Sequence, residues 1–414
     1  MKITEVRVIL TCPGRNHLFV KIMTDEPGIY GIGEGTLNNS EPIVAKAVEH
    51  LSQLIIGRDP AQIEDIWHTL YFSGYWRGGP VFMTAIAAID FALWDIKGKV
   101  AGLPVYQLLG GRSRQGVPVY THGQGPSIEA VEDSVRALME KGYKFVRAQL
   151  SGSFGSYGGG GVVKHEDSTV PGHKGTDFYN FVPYTRTVPA MFDHLRSKLG
   201  FEINLLHDVH EQLTPIEAAQ LARSLEPYRL FFLEDALRPE QKAYFGMLRQ
   251  STTTPLAIGE IITSRWDALE LFQNHWVDFI RTAPIHVGGI TEIRKICILA
   301  DSYFVRTAFH GAHDLGPIGQ AAAVHVGLSI PNLGVQEWVE FGDQTREVVS
   351  GLCYFEDGLV YPQEKPGLGV DIDEEAAKKY PYQQAYFTTK RLWDGTAHRS
   401  EEHTSELQSP DHLV

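Results

Sequence analysis

The sequence predicts an α/β chain: a TIM-type (β/α) barrel preceded by an α+β N-terminal capping domain. Three observations carry this. Three short apolar runs each end in an acid: Ile203-Asn204-Leu205-Leu206-His207-Asp208, Leu230-Phe231-Phe232-Leu233-Glu234 and Pro255-Leu256-Ala257-Ile258-Gly259-Glu260. The steps from 208 to 234 and from 234 to 260 are both 26 residues, and amphipathic stretches with helical spacing fill them. Eight strand-like segments alternate with helices over ~220 residues. A parallel barrel brings its strand ends to one rim, so the pattern gathers three carboxylates where a hard divalent cation could bind.

Residues 3–10, 18–24 and 29–35 read as strands, separated by Gly and Pro. Residues 42–56 and 60–72 follow as helices. Residues 81–100 form a longer helix, apolar on most faces, which predicts burial between layers; Gly98, Gly102 and Pro104 end it. Together these make a capping domain of residues 1–115. The barrel is expected over residues 116–345, beginning with a strand at 117–121, a helix at 127–142 N-capped by Ser127, and a strand at 144–150. Residues 151–176 are Gly-rich and predict a long functional or disordered loop. A helix near residues 188–199 leads to the strand ending at Asp208. The strands ending at Glu234 and Glu260 come next, with helices after Thr214 and Pro239. Residues 278–282, 304–309 and 334–338 supply the last three strands. A doubly wound open sheet is the structural rival, but it rarely needs so many carboxylates at strand ends.

Residues 346–398 are expected to pack back on the capping domain; within them, 361–386 is Pro- and Gly-rich with an acidic patch at 371–375. The run Arg399-Ser400-Glu401-Glu402-His403-Thr404-Ser405-Glu406-Leu407-Gln408-Ser409 resembles the in-frame translation of a common sequencing adaptor. Residues 399–414 are therefore expected to be a disordered segment foreign to the fold, and the natural protein's residues beyond His398 stay open.

A chain of 414 residues suits a barrel plus a smaller companion. Its 43% apolar and 11% aromatic content is ordinary for a soluble enzyme. A formal net charge of −13 argues against nucleic acid as a partner. No apolar run approaches a membrane span, and Met1-Lys2-Ile3-Thr4 opens no signal peptide, so a cytoplasmic location is expected. Cys12, Cys297 and Cys353 show no ligand-like spacing and fit a reducing compartment.

Each acid alone could be a loop residue capping the next helix. Three at the same offset in successive units point instead to a shared ligand, and oxygen donors at that count favour Mg²⁺ over Zn²⁺. Other strand ends add to the rim: Arg147, His310 and Glu337, with His210 on the loop after Asp208. A lone His is more often a surface or core residue than a catalyst, but two at an acidic rim favour chemistry.

The barrel pattern with Asp208, Glu234 and Glu260 resembles the enolase superfamily. The helix Ala88-Ile89-Asp90-Phe91-Ala92-Leu93-Trp94-Asp95-Ile96-Lys97-Gly98-Lys99 is similar to a first-domain signature of its mandelate racemase/muconate lactonizing enzyme-like branch. Within that branch several segments resemble the mannonate dehydratase family: Thr36-Leu37-Asn38, Tyr75-Trp76-Arg77-Gly78-Gly79-Pro80, Arg147-Ala148-Gln149, Ser156-Tyr157-Gly158, His207-Asp208-Val209-His210, Phe309-His310-Gly311 and Val335-Gln336-Glu337. The likeness runs over residues 1–398.

The resemblance implies a homo-oligomeric, Mg²⁺-dependent sugar-acid dehydratase converting D-mannonate to 2-keto-3-deoxy-D-gluconate. It implies Asp208, Glu234 and Glu260 as metal ligands. Tyr157, its pKa lowered by the guanidinium of Arg147, would take the C2 proton and give a stabilised enediolate. His210 would donate to the departing 3-hydroxyl. Asn38, His122, Arg281, His310 and Glu337 would hold the polyol, and Trp76 would cover it.

The chain departs from the family pattern in Glu211-Gln212-Leu213, in Asp235-Ala236-Leu237-Arg238-Pro239, at His313 and Gly316, and in a loop two residues shorter before Tyr157. These positions bear on the substrate more than on the metal. D-Gluconate or another sugar acid stays open, as does a catalytically weak barrel that binds metal and a sugar acid for regulation. A racemase or cycloisomerase would want Lys-x-Lys where Arg147-Ala148-Gln149 stands, and an acid in Phe279-Ile280-Arg281-Thr282 to partner His310.

Overall fold

The chain begins with an antiparallel meander of β1 (Ile3–Thr11), β2 (His17–Thr24) and β3 (Tyr30–Glu34), in the order β1-β2-β3. The computed structural model describes residues 1–150, 161–164, 177–311, 315–386, 389–392 and 396–400. Helices α1 (Glu41–Ser52), α2 (Ile63–Tyr71) and α3 (Pro80–Ala101) pack on the meander. Helix α3 is buried along nearly its whole length, as its apolar faces predict. Its small residues let β3 approach closely: a Cβ at Gly33 would lie 1.9 Å from the Ala88 carbonyl oxygen, so only Gly fits. The helix stops at Gly102, which takes a left-handed φ of 67°, with Leu103 N donating back to Gly98 O. A short helix, α4 (Val105–Leu108), leads into the barrel.

The barrel strands are β4 (Val117–Gly125), β5 (Phe145–Leu150), β8 (Asn204–Asp208), β9 (Leu233–Glu234), β10 (Leu256–Ile258), β11 (Phe279–Ile280), β12 (Arg306–Phe309) and β13 (Leu333–Glu337). They are parallel and pair in that order, and β13 returns to β4, with Glu337 opposite Tyr120, to close the ring. The open-sheet rival is thereby excluded. Helices α5 (Ile128–Glu140), α6 (Phe181–Leu199), α7 (Pro215–Ser224), α8 (Phe245–Ser251), α9 (Arg265–Gln273), α10 (Ile290–Ser302) and α11 (Pro317–Ser329) form the outer layer. Their starts follow local signals. Ser127 accepts from Ala130 N at 3.2 Å, and Thr214 forms a capping box with Glu217 ahead of Pro215.

Inside the ring, Tyr120, Leu206, Phe232, Ala257, Phe279, Ala308 and Val335 form one apolar layer, with Phe145 packed against it. Seven of the strands contribute one residue each and Phe232, just before β9, supplies the eighth, so the barrel is plugged rather than hollow.

Carboxylates of the capping domain join the two domains. Glu34 is fully buried and accepts from the backbone N–H groups of Gly316 (2.5 Å), Ile318 (3.0 Å) and Gly319 (2.8 Å) at the start of α11. Asp90 likewise meets the start of α10, accepting from Thr291 N at 3.0 Å and Thr291 Oγ1 at 2.5 Å. Each acid satisfies helix donors that would otherwise be orphaned and faces the positive end of the helix dipole. Trp67 Nε1 and Trp94 Nε1 add bonds to Gly288 O (2.7 Å) and Thr291 Oγ1 (3.0 Å).

After the barrel come α12 (Asp343–Val348) and β14 (Val349–Ser350), then the hairpin β15 (Tyr354–Glu356) and β16 (Leu359–Tyr361). β16 adds antiparallel to the first residues of β4, with Val360 opposite Val117. β17 (Asp371–Ile372) pairs with β14, and α13 (Glu374–Ala377) follows. This stretch, without a strong period in sequence, therefore holds short strands. It touches the capping domain through Lys21–Glu374 (2.7 Å), Cys12 N to Tyr380 O (2.8 Å) and Asn16 Nδ2 to Gln383 O (2.6 Å).

A further four-stranded sheet has the order β19-β18-β7-β6, from β6 (Gly161–Lys164), β7 (Asp177–Asn180), β18 (Thr389–Leu392) and β19 (Ala397–Ser400). Two expectations change here. The segment expected to be a loop over 151–176 contains β6, and Arg399 and Ser400, expected to be disordered, lie in β19. A strand partner gives both stretches backbone hydrogen bonds that no periodicity announces. Among the described residues, no helix is long and apolar enough to cross a membrane.

Candidate active site

The rim is built by a two-residue step. Side chains two apart on a strand point the same way. Two positions beyond each plug residue stands a polar one: Tyr120 leads to His122, Phe145 to Arg147, Leu206 to Asp208, Phe232 to Glu234, Phe279 to Arg281, Ala308 to His310 and Val335 to Glu337. The exception is Ala257, which is followed at that offset by Gly259. Gly259 has φ +143°, and a Cβ there would lie 3.0 Å from the backbone nitrogens of Arg281 and Thr282. The chain turns at this glycine, and Glu260 reaches the rim one residue later.

Glu337 meets four partners at the rim. Its Oε1 lies 2.6 Å from His122 Nε2 and 3.2 Å from Arg147 Nη1, and its Oε2 accepts from Arg281 Nη2 at 2.9 Å and Gly311 N at 3.3 Å. Burial opposes its charge, but Arg147, His122 and Arg281 together hold the carboxyl well below its ordinary range. His122 is pushed down by burial and by Arg147. Arg147 Nη1 also reaches Glu234 Oε1 (3.1 Å) and Asp208 Oδ2 (3.2 Å). Arg281 is fully buried. It donates to Tyr120 Oη from Nε (3.2 Å) and Nη2 (3.0 Å), and from Nη1 to Asp235 Oδ2 (2.7 Å) and Glu260 Oε2 (3.1 Å).

Burial raises the carboxyls of Asp208, Glu234 and Asp235; Glu234 adds to the shift at Asp208, and Glu260 to that at Asp235. Glu260 is held below its usual value despite burial, through His310 and Arg281. His310 Nε2 lies 3.5 Å from Glu260 Oε2, and His210 Nε2 lies 3.5 Å from Glu260 Oε1.

His210 comes back into the site because the chain after β8 turns sharply. His210 and Glu211 have φ of 53° and 59°, and His210 N donates to Asp208 Oδ1 at 2.7 Å. Two successive non-Gly residues in left-handed conformation are uncommon, and such strain clusters at functional sites. His207 faces away from the rim, bonded to Tyr184 Oη and Ala148 O at 3.0 Å each, and burial lowers its pKa to about 4.

The donor set fits a hard dication. Oxygens of Asp208, Glu234 and Asp235 lie within 4.8 Å of one another. Asp208, Glu234, Asp235, Glu260 and Glu337 are five buried acids against the two guanidiniums of Arg147 and Arg281, which leaves three negative charges uncompensated by arginine. A dication offsets most of that excess, and an all-oxygen set suits Mg²⁺. Asp235 is closer to this group than the even spacing predicts, while Glu260 adjoins it through Arg281, which bonds both.

Of the residues expected at the site, the structure gathers His122, Arg147, Asp208, His210, Glu234, Glu260, Arg281, His310 and Glu337. Asn38 sits half-buried in the turn between β3 and α1. Tyr157 and His313 lie outside the described residues. Trp76, expected to cover the substrate, is 89% exposed and meets the ring of Tyr75 edge-on, so it is not packed over the described rim. Tyr120 is not among the residues the sequence points to, and Asp235, expected to bear on the substrate, joins the acid group itself. Tyr120 stands one step below the rim on the strand of His122, a signal the alternation carried. Asp235 follows Glu234 and should face outward, but its φ of 40° breaks the alternation.

Comparisons with known proteins agree with this geometry. Residues 8–110 match the family described as mandelate racemase/muconate lactonizing enzyme, N-terminal domain, and residues 130–376 match the enolase C-terminal domain-like family. A D-mannonate dehydratase of Sphingomonas sp. (strain SKA58) is 49% identical over 95% of this chain and 98% of its own. The D-galactonate dehydratase family member RspA of Cellvibrio japonicus is 47% identical over 96% of this chain and 99% of its own. A crystal structure of an enolase from Pantoea ananatis, with bound D-gluconate and Mg, superposes with a TM-score of 0.90 at 44% identity, covering 96% of this chain and 99% of that one. The chain thus belongs to the enolase superfamily, in its mandelate racemase/muconate lactonizing enzyme-like branch, and within that branch to the mannonate dehydratase family.

Proposed function

We propose that this protein dehydrates a sugar acid with the help of Mg²⁺, and that D-mannonate is the substrate, giving 2-keto-3-deoxy-D-gluconate. The observation that carries the reading is the rim itself: carboxylates, two guanidiniums and two imidazoles set two residues beyond an apolar plug. Asp208, Glu234 and Glu260 would hold the cation, with Asp235 fixing Arg281 beside them. When bound, the cation supplies positive charge to the substrate carboxylate, which makes the neighbouring C–H bond more acidic.

The other steps fall to the chain. Tyr157, assisted by Arg147, takes the C2 proton, and the electron pair moves into the carboxyl group. His210 then protonates the 3-hydroxyl as the C3–O bond breaks, so the oxygen leaves as water rather than hydroxide. The resulting enol tautomerises to the 2-keto acid. Arg281, His122, His310, Glu337 and Asn38 orient the polyol. Glu337 does so through His122 and Arg147, since its oxygens are already occupied by protein donors.

D-Gluconate is the second substrate reading, supported by the bound D-gluconate and Mg of the Pantoea relative. It differs from D-mannonate only in configuration at C2, so the side of the substrate on which Tyr157 lies decides between them. The same reading includes a cytoplasmic homo-oligomer; exposed Phe72, Tyr75 and Trp76 offer it an apolar face, and sedimentation measures it.

Purified protein with Mg²⁺ is to be offered a panel of hexonic acids and assayed for 2-keto-3-deoxy product. Product from D-mannonate at the highest kcat/KM is expected. Product from no acid, with Mg²⁺ binding intact by calorimetry, would leave a metal- and sugar-acid-binding barrel in its place.

A further inference from the structure

One residue of the apolar plug carries a hydroxyl. Tyr120 is fully buried in the layer that Leu206, Phe232, Ala257, Phe279, Ala308 and Val335 complete. Phenylalanine would fill the same space, and a buried hydroxyl costs stability unless it is bonded. This one is bonded to its full capacity, since a hydroxyl offers one proton and two lone pairs. Arg281 donates to Tyr120 Oη from Nε at 3.2 Å and from Nη2 at 3.0 Å, and Tyr120 Oη donates to Glu234 Oε2 at 3.2 Å. The direction of each bond is fixed, because a guanidinium has no acceptor and so leaves the tyrosine proton for the carboxylate. The ring is held as well. It meets Phe232, two residues before Glu234, edge-on with centroids 6.0 Å apart.

We propose that Tyr120 is a positioning residue for the cation site: its hydroxyl fixes the plane of the Glu234 carboxylate and the place of Arg281, so that the acids are set before a cation arrives. The proposal rests on the reading of Asp208, Glu234 and Glu260 as Mg²⁺ ligands. The two oxygens of Glu234 are held by different partners. Oε1 accepts from Arg147 Nη1 at 3.1 Å and lies 2.8 Å from Arg281 Nη2, and Oε2 takes the Tyr120 proton. Without that proton the carboxylate is free to swing about its Oε1 contacts. Arg281 is steered by the same hydroxyl. Tyr120 engages its Nε and Nη2, which turns Nη1 toward Asp235 Oδ2 (2.7 Å) and Glu260 Oε2 (3.1 Å). Tyr120 thus reaches two of the three acids, directly at Glu234 and through Arg281 at Glu260. Groups that hold a metal ligand in this way set its orientation, and their loss typically costs about 10- to 100-fold in metal affinity.

The test is the Mg²⁺ affinity of the full chain without substrate, measured by calorimetry. Tyr120→Phe keeps the ring in the plug and removes the proton, and it is expected to bind Mg²⁺ about 10- to 100-fold more weakly than the native chain. Tyr106→Phe is the control. Tyr106 is also buried, in α4, and its Oη donates to Glu364 Oε2 at 2.8 Å rather than to a rim acid. It loses a carboxylate bond of the same kind, so it should be less stable yet bind Mg²⁺ as the native chain does. If Tyr120→Phe does not fold, Tyr120→4-aminophenylalanine decides the case, because its amine keeps a proton for Glu234 and should preserve native affinity. Native Mg²⁺ affinity in Tyr120→Phe overturns the proposal. An equal loss in Tyr106→Phe, or weak binding with the amine in place, also overturns it. A native chain that binds no Mg²⁺ removes the metal reading itself, and the proposal with it.

Discussion

His122 Nε2 and Glu337 Oε1 lie 2.6 Å apart across the seam where the first and last barrel strands meet. The contact joins fold and site, because the acid that closes the ring at the rim also holds both guanidiniums. Glu337→Gln keeps the shape and removes the charge. Arg147 keeps Asp208 and Glu234, and Arg281 keeps Glu234, Asp235 and Glu260, so the loss is that of charge-assisted hydrogen bonds at the seam, expected to cost about 1.5–3 kcal/mol. Thermal unfolding checks it, and a midpoint within about 2 °C of the native chain would show that Glu337 is dispensable to the seam.

Tyr157 and His210 are separable by their products. In D₂O, Tyr157→Phe should abolish both exchange at C2 and loss of water, with kcat down about 10²–10⁴-fold. His210→Asn tolerates the left-handed backbone at this position, with its φ of 53°, and removes only the imidazole. It should lose water elimination while C2 exchange, followed by NMR, continues. Exchange that survives Tyr157→Phe would pass the role of base to another group.

Asp90 predicts a pH dependence with a definite sign. Burial raises its carboxyl from 3.8 to about 7, against the bonds it accepts from Thr291. The folded chain therefore keeps a proton that the unfolded chain releases between those values. The stabilisation from this group is complete below about pH 4 and is lost as pH rises through about 7. Asp90→Asn does not titrate, so it should gain on the native chain over that window, by up to about 1.4 kcal/mol per pH unit. Paired urea unfolding curves at pH 4, 5.5 and 7 measure the difference, and a constant offset contradicts the prediction.

Phe304 offers a stabilising change. It follows α10 with φ 59° and is 93% exposed. Val305 N bonds Ala300 O at 2.9 Å and Phe304 N bonds Asp301 O at 3.0 Å, the paired closure in which glycine is preferred. Phe304→Gly should raise stability by about 1 kcal/mol through relief of the left-handed backbone. A fall in the unfolding midpoint would mean that the exposed ring makes a compensating contact.

The barrel and most of its rim were legible in the sequence because apolar alternation marks a plugged strand and the polar residue two places on marks its end. Where the alternation breaks, that signal is lost: Asp235 is turned inward by a positive φ that nothing before it announces. Helix α6 begins at Phe181, well before the expected 188, and carries Pro189 inside it. Proline is favoured at a first helical turn and disfavoured later, so the sequence marks a start there that tertiary packing overrides. Backbone pairing between distant segments, as in β18 with β7, leaves no local trace at all.

Glu34 and Gly316 are 282 residues apart in the chain, and their bond is buried. During synthesis the meander and its helices emerge long before α11 exists, so a carboxylate destined for burial waits in water for most of translation. At about 5–20 residues per second that wait lasts tens of seconds at the slow rate. The first domain therefore matures last in its final form, together with the barrel it covers, and a nascent chain stalled before residue 316 exposes the surface on which the two halves meet.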